Sequence, residues 1–169
     1  MGAYEKQNLD FVKRTKKITE QYKEYGGNFD VTLLLNCLVG LLIIPYEDLR
    51  RKLPEKLPEK IIDRENWGIS EHDISIILDR DGMEERKSVK NVAKHLRNSI
   101  AHYEFMAFPD EEANIKTIRF EDRLRLSPHE WIVSFEAIIS IVNLRIFVNK
   151  LSEYYINEIE KEMRFEKSS

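Results

Sequence analysis

The sequence predicts an all-α fold, a helical bundle carrying one small β-hairpin or flap near residues 104–122. Three observations predict it. Apolar residues recur at helical spacing over several long stretches. Residues that start and stop helices bracket those stretches. Only the segment 104–122 interleaves apolar and polar residues around a Pro-Asp turn, as a hairpin does. A length of 169 residues suits one domain, 1–169, with a sizeable core. With 42% hydrophobic and 34% charged residues, the composition is globular rather than disordered. The net charge of −3 gives no global positive field, so a nucleic-acid partner must be met by a local patch.

Residues 3–25 read as the first helix, with Leu9 and Val12 in a partial apolar stripe and Gly26-Gly27 as its stop. Asn28 or Asp30 can cap a second helix, which runs to about Ile44, before Pro45. It is apolar nearly all round and belongs in the middle of a bundle. Cys37 lies in this run as a small buried hydrophobe. A single cysteine allows no disulfide within the chain, which fits a reducing, cytoplasmic setting. The apolar run 31–44 is shorter than the roughly 20 residues a membrane span needs, and residues 1–17 lack a signal-peptide core. No membrane partner is expected.

Residues 46–63 read as a short charged helix, then the doubled Leu-Pro-Glu-Lys as a surface connection, with a further short helix at 59–64. Ser70 to Asp73 resembles a capping box that opens a helix over 74–78. Asp79-Arg80-Asp81-Gly82 closes it as a turn. A calcium loop would need further oxygen ligands and a late Glu. Residues 88–103 form an amphipathic helix, with Val89, Val92, Ala93, Leu96 and Ile100 on one side. Ser127-Pro128-His129-Glu130 carries a Ser cap, Pro at the first position and Glu at the third, and predicts a long helix to about Met163. Trp131, Phe135, Ile138, Val142, Ile146 and Phe147 leave its first half little polar face. Such a helix is central to the bundle or part of a subunit interface. Residues 165–169 are expected to fray.

The polar end of the 88–103 helix is the candidate site. Arg97 and Asn98 are followed by His102. Random placement gives roughly 0.3 accidental Arg-x4-His matches in this composition, and about 0.02 once Asn must follow Arg. Lys90 and Lys94 share a side with Arg97 and extend a positive track that RNA phosphates could follow. Two readings stay open here. The cluster satisfies a helix C-terminus, where cations are favoured, or it is a site. Lys90 and Lys94 are equally readable as a solvated face. His95 reads as a surface residue, Tyr103 as packed under the flap, and Ser99 has no base behind it. His72, His95 and His129 are scattered, so no metal site and no cofactor are expected.

On Arg97, Asn98 and His102 the chain resembles the HEPN superfamily (higher eukaryotes and prokaryotes nucleotide-binding domains). Its motif is Arg, a polar residue such as Asn, then His four to six positions after the Arg. The resemblance implies a helical bundle and metal-independent RNA cleavage by a small stand-alone bacterial member, with Arg97, Asn98 and His102 catalytic and Lys90, Lys94 and Tyr103 binding RNA. It also implies a homodimer with a shared cleft, and in some members a toxin or phage-defence role with an antitoxin protein as partner. In one toxin group a Tyr stands two residues after the His. Here Tyr103 follows His102 directly and Glu104 holds that position. The residue types suit the chemistry. His moves protons near neutral pH, and Arg offers phosphate a two-pronged donor set. The alternative is a non-catalytic RNA-binding or protein-interaction dimer on the same fold.

Overall fold

The computed structural model describes residues 7–25, 30–48, 57–112 and 114–168. Helices α1 (Gln7–Tyr25) and α2 (Asp30–Asp48) are followed by the single turn α3 (Arg64–Trp67) and a 3-10 turn, Glu71–Asp73. Then come β1 (Ile74–Ile77), α4 (Val89–Ala101), β2 (Phe105–Pro109), β3 (Ile115–Ser127), β4 (Glu130–Ser140) and α5 (Ile141–Ser168). The Gly26-Gly27 stop, the Asn28 cap, and residues 49–56 of the expected charged helix lie outside the described residues.

The expected all-α bundle is corrected to a mixed α/β fold. All four strands join one antiparallel sheet in the order β1-β4-β3-β2. The largest departure is at residues 127–140, which are strand rather than helix. Pro128 and His129 form the tight turn of a hairpin, and Ser127 pairs with Glu130 across it. Trp131 to Ser140 is rich in β-branched and aromatic residues, and a long apolar run does not reveal its period. Its period is two: Phe135, Ala137 and Ile139 are fully buried, whereas Ile138 is half exposed. The helix begins only at Ile141 and continues through the expected frayed tail to Ser168.

Smaller corrections follow the same physics. The Ser70–Asp73 capping box is present, but it closes one 3-10 turn. The β-branched residues after it pair as β1 with β4, Ile74 opposite Ala137. The short helix is not at 59–64. It starts at Arg64, where the Asp63 carboxylate accepts the Asn66 N–H at 2.8 Å, and stops at Gly68. Gly68 has φ 75°, and a Cβ there would meet the Asn143 carbonyl oxygen at 2.5 Å. Helix α2 carries on past Pro45 to Asp48. The β2–β3 hairpin turns at Asp110, whose carboxylate accepts the N–H groups of Glu112 and Asn114. At 79–82 the chain does turn, with Asp79 Oδ1 accepting from the N–H groups of Asp81 and Met83.

The chain divides into two compact units, one of residues 1–55 and 147–169, the other of residues 56–146. In the first, Val12, Leu34, Leu38, Leu41, Val148 and Leu151 are fully or almost fully buried, and Cys37 is buried with them. Lys13–Glu160 and Lys16–Glu153 ion pairs tie α1 to α5. Helix α1 approaches α2 closely at Gly40, where a Cβ would lie 2.8 Å from the Phe11 ring. In the second unit, α4 packs on β3. One face of the sheet carries Ile118, Phe120, Phe135, Ala137 and Ile139, all with no exposed surface. Val89, Val92 and Leu96 of α4 are buried equally completely. Burying each such side chain contributes about 1.5–3 kcal/mol, and together these hold α4 in register on the sheet. No helix of the described residues is long and apolar enough to cross a membrane.

Candidate active site at the end of helix α4

Helix α4 starts at Ser88, whose Oγ accepts the Asn91 N–H at 3.2 Å. Its buried stripe includes Val92, His95, Leu96 and Ser99. His95 is therefore not a surface residue. It lies three positions after Val92 and four before Ser99, on the flank of the apolar stripe. Its ring stacks on Phe135 with centroids 5.1 Å apart and planes 4° off parallel. Its Nδ1 is 2.8 Å from Asp122 Oδ2, and its Nε2 is 3.1 Å from Glu85 Oε2. Each ring nitrogen thus faces one carboxylate oxygen.

Asp122 reaches that position because β3 alternates. Ile118, Phe120 and Asp122 share the inward phase, and Asp122 sits opposite Phe135 on β4. The register slips after this pair, as Arg123 next faces Val133, leaving Ser134 as the extra residue. Asp122 is buried and fully engaged. Its Oδ2 accepts from His95 and from the Asn98 amide at 2.8 Å, and its Oδ1 accepts the Arg123 N–H at 2.9 Å. The Asn98 amide is thereby oriented with its nitrogen toward Asp122. Its oxygen accepts from Arg97 Nη2 at 2.7 Å and Nε at 3.2 Å.

These groups open on a cleft of about 180 Å³. Arg80, Lys94, Arg97 and Arg123 bring four cations to its lining, against the two carboxylates Asp79 and Asp122. Such a lining attracts an anion, and Arg fits phosphate bidentately. Sequence reasoning reached Arg97, Asn98 and Lys94 but missed His95, Asp122, Glu85, Arg80 and Arg123. The signals were there for the first two: helical spacing from Val92 for His95, and the inward phase of β3 for Asp122.

Of the expected residues, Lys90, His102 and Tyr103 are not among those lining the cleft. Lys94 pairs with both oxygens of Glu85, at 3.0 and 2.8 Å. Lys90 pairs with Glu59 at 2.7 Å. His102 is exposed, caps the C-terminus of α4, and is not among the residues lining the cleft. Tyr103 is not packed under the flap. It is 81% exposed, with its ring against Phe105 at 4.9 Å. Its φ of 60° puts it in the left-handed region, where a helix end ordinarily places glycine. The Tyr103 and Glu104 N–H groups return to the Ile100 and Ser99 carbonyls, closing the helix. The Ser99 hydroxyl donates to the Glu104 carbonyl at 2.8 Å. Among the described residues, no three His, Cys, Asp or Glu side chains are grouped to hold a metal ion.

The match of a family model over nearly the whole chain places it in the HEPN superfamily, which is consistent with a nuclease or RNA-related module. Within it the chain belongs to the family described as HEPN pEK499 p136, whose model matches residues 1–162. No curated protein and no solved structure matches the chain.

Proposed function

We propose that the protein is a metal-independent endoribonuclease. The observation that carries this reading is Arg97, aimed into a cation-rich cleft by Asn98, on the same helix end as an exposed histidine. The 2′-OH of one nucleotide attacks its own 3′-phosphorus, and the bond from phosphorus to the 5′-oxygen breaks. His102 takes part in moving the proton from the 2′-OH and returning one to the 5′-oxygen. Arg97 holds the charge that develops on the phosphoryl oxygens. Asn98 fixes Arg97, Lys90 and Lys94 attract the flanking backbone, and Tyr103 offers an exposed ring on which a base stacks.

The spacing along the helix supports reading the protein as a homodimer with a shared cleft. Arg97 and His102 are five positions apart, about 140° around a straight helix, so one subunit's pair makes a poor pocket alone. Two copies about a two-fold axis would bring two of each residue to one cleft. A toxin or phage-defence role, with an antitoxin protein holding the activity in check, is part of the same reading. The second reading, a module that binds RNA or protein without cleavage, is favoured by one observation: His102 is not among the lining residues of the cleft.

The test is digestion of single-stranded RNA in the presence of EDTA. The expected products end in 2′,3′-cyclic phosphate and 5′-hydroxyl. Strict dependence on an added divalent ion, or the absence of cleavage by pure protein freed of any inhibitor, refutes the reading. Mixing the inactive variants His102→Ala and Arg97→Ala tests the shared cleft. A heterodimer whose activity differs from the average of the two supports it.

A further inference from the structure

We propose that Asp122 and His95 are positioning residues that set the direction of the Arg97 guanidinium through Asn98. The inference rests on the ribonuclease reading and adds to it two residues outside the Arg-Asn-His motif.

The chain of contacts is continuous. Glu85 bonds His95 Nε2, His95 Nδ1 bonds Asp122, Asp122 bonds the Asn98 amide nitrogen, and the Asn98 oxygen receives two bonds from Arg97. An amide side chain can sit either way round in a helix. Here the carboxylate admits only its nitrogen, so its oxygen must face Arg97. Without Asp122 that preference is lost, and with it the two bonds that the Asn98 oxygen receives from Arg97.

The brace is also the rigid part of the site. The side chains of His95 and Asp122 are 4% and 7% exposed. Phe135 stacks on the imidazole. The Ser134 hydroxyl donates to the Asp122 carbonyl at 3.2 Å, anchoring the irregular step in the sheet. Helix α4 supplies His95, Arg97 and Asn98, while β3 supplies Asp122. The helix–sheet register is therefore what aims Arg97. A buried polar cluster of this kind costs desolvation unless every member is bonded.

The two ring nitrogens make separable predictions. In His95→Asn the amide nitrogen takes the place of Nδ1 and keeps the bond to Asp122. In His95→Gln it takes the place of Nε2 and keeps only the bond to Glu85. Initial rates are measured on a fluorescein-labelled single-stranded RNA of mixed sequence, with folding checked by circular dichroism. His95→Gln and Asp122→Asn should lower kcat by about 10- to 100-fold, the size expected of a misaimed catalytic group. His95→Asn should lose clearly less.

The decisive arm repeats His95→Gln in an Arg97→Lys background. Lysine has no planar fork to aim. If His95 acts through Arg97, the second substitution costs nothing further there. An equal loss in both backgrounds marks a merely structural role and overturns the proposal. So do wild-type rates in folded His95→Gln and Asp122→Asn, or an equal loss from His95→Asn and His95→Gln. Where His95→Gln does not fold, Asp122→Asn carries the same comparison between backgrounds. If Arg97→Lys alone cleaves at the wild-type rate, the ribonuclease reading of Arg97 fails instead, so the two failures are distinguishable.

Discussion

The two halves of the Arg-Asn-His segment are held in opposite ways. Arg97 and Asn98 are half-buried and tied, through Asp122 and His95, to the sheet. Five residues later, His102 and Tyr103 are exposed, and Tyr103 is in a backbone conformation that favours glycine. The difference teaches where each half gets its precision. The first takes it from a buried network that spans helix and strand. The second takes it from the end of a helix, and has room to meet a substrate or a second subunit.

Substitutions can break this contrast from either side. The largest effect is expected at the braced half. Arg97→Lys keeps the charge and loses the fork, so cleavage should fall about 10²–10³-fold, with a smaller loss of RNA affinity by fluorescence anisotropy. Full activity of the lysine variant would reduce Arg97 to a diffuse charge. Next comes Asp122→Ala, which strands the His95 and Asn98 donors in a buried site. Urea unfolding should show a loss of about 1–3 kcal/mol for each unsatisfied group. An unchanged midpoint would mean that the Asp122 bonds to His95 and Asn98 do not stabilise the fold. Tyr103→Gly should do the reverse at the exposed half. It relieves a left-handed residue and should stabilise the fold by roughly 1 kcal/mol, while weakening RNA binding. A destabilised Tyr103→Gly variant would remove the case for a functional tyrosine there.

The outward face of β4 offers the smallest effect and a useful control. Hydrogen bonds from Ser75 and from Arg119, with the Arg119 charge, hold the Glu136 carboxyl below its usual range. A carboxyl depressed in the folded state stabilises above its unfolded pKa, about 4.3, and that contribution is lost as pH falls through the folded value. Glu136→Gln should therefore lower stability slightly at neutral pH and flatten its acid dependence below about pH 4, without altering cleavage. A rate change in this variant would show that the two faces of the sheet are coupled.

Much of the helical part was legible. The 3.6-residue spacing places α1, α2 and α4, and the motif residues stand out against chance. Of the sheet only the hairpin near 104–122 was legible, and β1 and β4 were not, for two physical reasons. Ser127-Pro128-His129-Glu130 satisfies the chemistry of a helix start, yet the same residues make a hairpin turn, and only pairing with β3 decides between them. The apolar run after it has no polar residues frequent enough to expose a period of two. Once β4 is taken for helix, β3 keeps only its hairpin partner β2, and Asp122 reads as the end of a small flap rather than as part of a packed sheet. His95 was lost for a different reason. A histidine beside an apolar stripe reads as solvated unless its carboxylate partners are known, and neither Asp122 on β3 nor Glu85 ahead of the helix stands at helical spacing from it. The expected composite face from Trp131 to Phe147 is likewise divided, with Trp131 and Ile138 exposed on β4 and Val142 exposed on α5.

The central claim is that the exposed histidine does chemistry with the braced arginine. The most direct measurement is the initial rate of cleavage of one RNA in EDTA by the wild-type protein and by His102→Ala, with unfolding followed on both. The account predicts a rate lower by about 10²–10⁴ and a stability within about 1 kcal/mol of wild type, the usual worth of a charge at a helix end. Equal rates for the two proteins on several RNAs would contradict it.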